Sequence, residues 1–178
     1  LETRTTVRFA EGEAGPDEVT MDGSAAPAAV RQRVSAFVDL LRRRAGRSGR
    51  AVVSTSNTFP TGAGLASSAS GFAAIALAAS RAIGLSLDPA ELSDLARRGS
   101  ASAARSIFGG FVELPAASAG TDFLAASPLG ATDFWDLAVV VAVADARKEI
   151  GSTEGMQRTE ATSPYYAAWI ETAWSEAA

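Results

Sequence analysis

Residues 57–69 read Asn57-Thr58-Phe59-Pro60-Thr61-Gly62-Ala63-Gly64-Leu65-Ala66-Ser67-Ser68-Ala69 and run straight into an alanine-rich apolar stretch, 70–82, whose composition predicts a helix. Gly62 and Gly64 let a backbone approach a ligand closely, Pro60 sets the direction of the chain, and Ser67 and Ser68 fall where the helix begins. The first-turn N–H groups of such a helix have no partner inside it and point at whatever anion docks there. The chemistry this spacing suits is the cradling of phosphate, so an ATP-dependent enzyme is the leading reading. An ordinary N-cap, worth about 1 kcal/mol, needs only one hydroxyl. It leaves the second serine, the two glycines and the proline without a purpose. The loop is not a Walker loop, for it lacks the Gly-Lys-Ser/Thr ending. It is not a dinucleotide fingerprint either, for it lacks the three-glycine spacing.

The elements around the loop follow from periodicity. Thr5, Val7 and Phe9 alternate with Arg4, Thr6 and Arg8, as in a half-exposed strand. A short strand over 18–21 ends at the turn Asp22-Gly23, and Val30, Val34, Phe37 and Leu41 recur at helical spacing over 28–44. Arg42, Arg43 and Arg44, with Arg47 and Arg50, are read as a solvated helix end that complements the helix dipole. A strand over 50–56 delivers the chain to the glycine loop. The next helix is punctuated by Asp88 as N-cap, Pro89 at its first position, Glu91 completing a capping box and Gly99 as terminator. Gly109-Gly110 reads as a sharp reversal before a strand over 111–114, and residues 115–132 as a loop or domain junction. Residues 135–144 form a near-continuous apolar run, predicting a strand buried on both faces. A last helix starts at Ser163-Pro164, with Tyr166, Trp169, Ile170, Ala173 and Trp174 spaced as core residues.

Composition removes several classes of function. The chain has 178 residues of which 47% are apolar, enough for one substantial core or most of two small ones. A net charge of −4 leaves no broad cationic surface for nucleic acid, so any anion must be held locally. With no cysteine and no histidine, disulfides, thiolate or imidazole zinc sites, Cys nucleophiles and Ser-His-Asp triads are excluded. No apolar run approaches the roughly 20 residues of a membrane span. A cytoplasmic location is expected from the use of ATP. The chain starts at Leu1 rather than Met and stops at Ala178 in a helical pattern, which predicts a piece of a longer protein.

The glycine loop resembles the Pro-x-x-x-Gly-Leu-x-Ser-Ser-Ala motif of the superfamily of galactokinase, homoserine kinase, mevalonate kinase and phosphomevalonate kinase. Three segments narrow the resemblance: Asn57 to Ala69, Arg98-Gly99-Ser100-Ala101-Ser102-Ala103-Ala104-Arg105-Ser106 ending in Gly109-Gly110, and Gly151-Ser152-Thr153-Glu154-Gly155-Met156. In this order they are similar to diphosphomevalonate decarboxylases. The resemblance implies an α+β, two-domain fold, with an ATP- and substrate-binding domain over 1–130 of the ribosomal protein S5 domain 2-like kind. Residues 131–178 would begin a ferredoxin-like second domain whose first strand starts near Phe134. It further implies Mg-ATP as cosubstrate, mevalonate diphosphate or a relative as small anionic substrate, and phosphorylation of the 3-hydroxyl followed by loss of the carboxylate. It implies neither a nucleic-acid nor a membrane partner, and it leaves a homodimer open.

Within that resemblance, Pro60, Gly62, Ala63, Gly64, Leu65, Ala66, Ser67 and Ser68 would hold the ATP phosphates, Ser68 also standing near the metal ion. Arg105, whose planar fork suits a carboxylate, would clamp the substrate beside Ser100 and Ser102. Ser152 and Thr153, read as loop residues after the buried strand, would face its anionic groups. Plainer alternatives stay open: an ion pair for Arg105, capping for Ser100 and Ser102, a hydroxyl-rich turn for Ser152 and Thr153. Two family features have no counterpart, an early lysine-bearing segment and a late aspartate in an Asp-Ala-Gly-Pro-like context. Asp133, Asp136 and Asp145 are not assigned that aspartate's role. Ala104 stands where the family often has cysteine, and Ala119-Gly120-Thr121-Asp122-Phe123 where it has an acidic Asp-Gly-rich stretch. The alternatives to a diphosphomevalonate decarboxylase are a related mevalonate-type kinase or monophosphate decarboxylase, and a non-catalytic nucleotide-binding fragment.

Overall fold

The computed structural model describes residues 1–10, 12, 15–61, 65–116, 121–142 and 152–176, with backbone only for Ser152, Thr153 and 174–176. Strand β1 (Thr3–Ala10) keeps the predicted alternation, with Thr3, Thr5, Val7 and Phe9 turned inward and Arg4, Thr6 and Arg8 outward. It pairs antiparallel with β4 (Arg50–Asn57) in a register running from Thr3 opposite Asn57 to Ala10 opposite Arg50. On the other side of β4 lies β2 (Glu18–Met21), parallel to it, and then β3 (Ser24–Ala25), for a sheet order β1-β4-β2-β3. Asp22 and Gly23 have φ of 50° and 80°, so both central residues of the β2–β3 hairpin take the left-handed conformation that a two-residue turn requires.

Helix α1 (Ala28–Ala45) buries Val34, Phe37 and Leu41 of the predicted stripe together with Val38, while Val30, also expected there, is partly buried and packs at the edge. Helix α2 (Ser67–Ile83) buries nearly every turn, and its Phe72 meets Phe37 edge to face with ring centres 5.3 Å apart. Alanine at so many α2 positions lets it lie close to the sheet and to its neighbours, and β1, α1, α3 and α2 share one core. Arg42 departs from the solvated-face expectation: its guanidinium is mostly covered and donates to Asp17, Asp39 and the Gly49 carbonyl. Arg44 pairs with Glu91, so the basic run ties α1 to its surroundings rather than offering a patch.

Helix α3 (Pro89–Gly99) carries the predicted capping box, with the Glu91 N–H donating to Asp88 and the Asp88 N–H to Glu91. It ends at Gly99 as expected, but not through a left-handed glycine. A Cβ on Gly99 would lie 2.2 Å from Phe72 Cδ1, so the missing side chain serves close approach to α2. A 3-10 helix (Ala101–Ile107) follows at once, with Ala103 and Ala104 fully buried against α2 and α3. The strand expected over 111–114 is reduced to β5 (Val112–Glu113), paired with β6 (Ser127–Pro128). The segment read as a loop is therefore partly pinned: Asp94 accepts the Leu124 N–H, and the Arg98 guanidinium donates to the Asp122 carbonyl.

The C-terminal expectations fare differently. Residues 135–142 form no strand, and Val139 and Val140 are 77% and 93% exposed; residues 143–150 lie outside the described ones. A strand exists only through neighbours that take its hydrogen bonds, and none of the described strands lies beside this run. Helices α4 (Ser152–Thr162) and α5 (Tyr166–Glu176) contact each other, and none of their described side chains belongs to the core. Trp169 and Ile170, expected in a core, are half exposed. Ser152 and Thr153 open α4 rather than sitting in a loop.

Candidate active site

Four segments meet at the N-terminus of α2. The Thr3 hydroxyl donates to Asn57 Oδ1 at 2.6 Å and lies 2.8 Å from the Ser70 hydroxyl, joining the start of β1, the end of β4 and the first turn of α2. Asn57 in turn donates from Nδ2 to the Thr61 hydroxyl at 2.8 Å, and its backbone N–H donates to Asp22 at 3.0 Å. The glycine loop is thus held at its root by side chains on two strands, a helix and a turn. Gly62, Ala63 and Gly64 lie outside the described residues, while Pro60, Thr61 and Ala66 are exposed and Leu65 is half-buried.

The helix start itself is open. The N-cap is Ala66, with no side-chain cap and a left-handed φ of 53°, which a residue bearing a Cβ adopts only at a cost of about 1 kcal/mol or more. The expected alternative of a serine N-cap therefore does not hold: Ser67 and Ser68 are the first two helical residues. Ser68 is exposed, with no partner among the described residues for its hydroxyl. No acidic side chain occupies the first turn of α2, in contrast to α3, whose Asp88 and Glu91 close their own N-terminus. The positive end of the α2 dipole is left facing outward, an arrangement that stabilises an anion.

Beside Ser67 and Ser68 a cleft of ≈ 160 Å³ runs between β2, α1 and α2. Val19, Met21, Val30 and Ile75 make it apolar, while Asn57 and Thr61 supply polar groups from the loop root. Arg33 also lines it, its guanidinium 5.2 Å from the centre of the Phe72 ring and donating to the Gly99 carbonyl. Sequence reasoning passed over these residues. Asn57 was visible as part of the loop motif; Arg33 lay in an ordinary helical pattern, and only packing brings it to the cleft.

Ser100, Ser102 and Arg105 occupy the end of α3 and the 3-10 helix, which packs on α2. Ser100 ends α3 in an extended conformation and its hydroxyl lies 3.3 Å from that of Ser102, so the two form a pair. The Arg105 side chain is exposed and makes no ion pair or hydrogen bond among the described residues, unlike Arg97 and Arg98, which both pair with Asp94. Arg105 does not line the apolar cleft. Its neighbour Ser106 shares a separate hollow with Thr3 and Ser70, behind the first turn of α2. The side chains of Ser152 and Thr153 are not among those described, and the described residues place no cluster of acidic groups suited to a metal ion.

Residues 1–125 match the family model described as the diphosphomevalonate decarboxylase-like N-terminal domain. The chain belongs to the diphosphomevalonate decarboxylase family. Residues 138–176 match a second model, the mevalonate 5-diphosphate decarboxylase C-terminal domain. Among curated diphosphomevalonate decarboxylases, that of Saccharomyces cerevisiae is 45% identical over 118 residues, which are 65% of this chain and 30% of the yeast protein. The solved mevalonate diphosphate decarboxylase of Enterococcus faecalis, described for mevalonate diphosphate-mediated ATP binding, superposes with a TM-score of 0.77 at 36% identity. A related structure, described as MDDEF in complex with MVAPP, AMPPCP and magnesium, has a TM-score of 0.76 at 35% identity and covers 96% of this chain and 52% of that one. The chain thus spans about half the length of the solved diphosphomevalonate decarboxylases. It has their α+β architecture, that of the kinase superfamily to which the glycine loop points.

Proposed function

We propose that this chain is the ATP- and substrate-binding part of an ATP-dependent carboxy-lyase that converts mevalonate 5-diphosphate, with ATP, into isopentenyl diphosphate, ADP, phosphate and carbon dioxide. One observation carries the reading: an open, acid-free helix N-terminus bearing Ser68 and an exposed Arg105 without an acidic partner among the described residues stand on elements packed against each other. The first suits phosphate and the second a carboxylate, the two anions this reaction must hold at once.

The residues fit the nucleotide by chemistry. The positive end of the α2 dipole and the Ser68 hydroxyl suit polyphosphate oxygens, and the adjacent apolar cleft with Arg33 at its wall suits an uncharged ring beside a phosphate. Ser68 is the residue that would stand near a nucleotide-bound Mg²⁺, which would offset phosphate charge and, keeping several waters, would need few protein ligands. Pro60, Gly62, Ala63, Gly64, Leu65, Ala66 and Ser67 shape the cradle. Arg105 holds the substrate carboxylate by its fork, with the Ser100 and Ser102 hydroxyls orienting the same molecule. Ser152 and Thr153, at the start of α4, would add donors from a helix N-terminus to the substrate's diphosphate. In this division residues 1–130 form the binding domain and 131–178 begin the second, supported by the separate family matches on either side and by a core confined to the first.

The full-length protein that contains this chain, given ATP with mevalonate, its monophosphate or its diphosphate, and followed for ADP and carbon dioxide, tests the proposal. Both products with the diphosphate alone are expected. ADP without carbon dioxide would leave a kinase, and neither product would leave a nucleotide-binding module. Dependence on a cytosolic ATP pool supports a cytoplasmic location, which fractionation checks, and gel filtration reads whether a homodimer forms.

A further inference from the structure

Ser93 stands on α3 away from the ligand-facing groups, yet among the described buried polar residues it alone has no exposure at all. Its hydroxyl donates to the Ala104 carbonyl at 2.9 Å and accepts the Ala126 N–H at 2.9 Å, so both of its hydrogen-bonding roles are taken by backbone from two other segments. Ala104 immediately precedes Arg105 in the chain. A 3-10 helix has poor hydrogen-bond geometry and little intrinsic stability, so its position is set by what grips it from outside. Here the grips are Ala103 and Ala104, buried to 0% exposure, and the Ser93 hydroxyl. Neighbouring Asp94 anchors the same 122–126 strip by accepting the Leu124 N–H.

We propose that Ser93 is a positioning residue for Arg105: its buried hydroxyl fixes the backbone of the 3-10 helix from behind, so that the Arg105 fork is presented to the substrate carboxylate in one orientation. The inference rests on the reading of Arg105 as the carboxylate clamp. A planar, bidentate contact depends on direction more than a point charge does, and a displacement of about 1 Å at such a group costs on the order of 10²-fold in rate. Replacing the hydroxyl leaves a buried carbonyl and a buried N–H without partners, which loosens both segments that Ser93 joins.

The test is a double-mutant cycle of Ser93→Ala with Arg105→Lys, read by KM and kcat for mevalonate 5-diphosphate and KM for ATP, with amide hydrogen exchange over 101–107. Ser93→Ala is expected to weaken substrate kcat/KM by about 10-fold, leave KM for ATP within about 2-fold, and raise exchange in the 3-10 helix but not in the first turn of α2. On the Arg105→Lys background the same substitution should have almost no further effect, because a lysine does not use the orientation. If Ser93→Ala does not fold, Ser93→Cys keeps the size with a weak donor and takes its place, and Ser93→Thr, which keeps the hydroxyl, should restore the kinetics. Full additivity of the two substitutions, unchanged kinetics in Ser93→Ala, or unchanged exchange over 101–107 would each overturn the positioning role. Wild-type kinetics in Arg105→Lys alone would instead overturn the clamp reading itself.

Discussion

Ser68 and Arg105 differ from the other polar residues around them in what they do not do for the fold. Ser68 caps nothing, since the N-cap is Ala66, and Arg105 has no acidic partner among the described residues. Ser68→Ala is therefore expected to change stability by less than about 0.5 kcal/mol in a denaturant titration. It should lower turnover with ATP by about 10- to 100-fold, the worth of one hydrogen bond to a charged oxygen. Unchanged turnover would reduce Ser68 to an ordinary first-turn residue. Arg105→Lys should keep the melting temperature and lose about 10²-fold in carbon dioxide release, because an ammonium cannot reproduce a two-pronged contact. A lysine enzyme of wild-type rate would show that the charge alone suffices. The type and spacing of these residues were readable in the chain. Their freedom from structural duty was not, because that depends on which groups the fold brings near.

At the scale of elements, the site depends on how closely α3 approaches α2. Gly99 lies against the Phe72 ring, Phe72 against Phe37 and the Arg33 guanidinium, and Arg33 donates back to the Gly99 carbonyl. This circuit places the residue before Ser100 against the helix that carries Ser68. Gly99→Ala puts a methyl at 2.2 Å from the ring and is expected to destabilise by about 1–3 kcal/mol. It should also raise KM for the substrate, since Ser100 must shift with the end of α3; thermal unfolding and steady-state kinetics on one preparation read both. A variant as stable as the parent would mean that the ring moves aside freely. The capping box, the α1 stripe and the β1 alternation were legible because each is a local pattern that points to one conformation. Gly99 was legible as an end of α3 but its cause was not, for close packing and left-handed backbone both select glycine.

Across the whole molecule, two largely buried carboxylates, Asp17 and Asp94, tie distant segments together and set its acid response. Burial alone would push the Asp17 carboxyl up, but hydrogen bonds from Arg42, the Ala51 N–H and Ser35 outweigh it and hold it below the ordinary value of 3.8. Asp94 is likewise favoured against its burial by the Leu124 N–H, Arg97 and Arg98, and is lowered from 3.8. A carboxylate that is more acidic folded than unfolded stabilises the fold in full above its unfolded value. That contribution fades as pH falls from there through the folded value. Urea midpoints should therefore be steady from neutral pH to about pH 5 and drop below about pH 4, with a shallower drop in Asp17→Asn and Asp94→Asn at the expense of lower stability at neutral pH. Equal slopes in parent and variants would mean that other groups govern the acid limb. Asp17 reaches α1 and β4 from the turn before β2, and Asp94 reaches the 122–126 strip from α3, pairings that no local sequence pattern announces.

The sequence by itself determined β1, β2, α1, β4, α2 and α3, the phosphate-suited loop and the residue types of the site, because these are carried by periodicity, punctuation and spacing along the chain, and its three motifs carried the resemblance to the family. The tertiary structure decided that Ser93 grips the backbone beside Arg105, that Arg33 and Asn57 belong to the cleft and that the arginine run is structural. It also decided against a strand over 135–142, for a strand is defined by its hydrogen-bonded neighbours as much as by its own apolar residues. Contacts between residues far apart in sequence are chosen by packing and by the satisfaction of buried polar groups, and neither leaves a periodic trace in the chain.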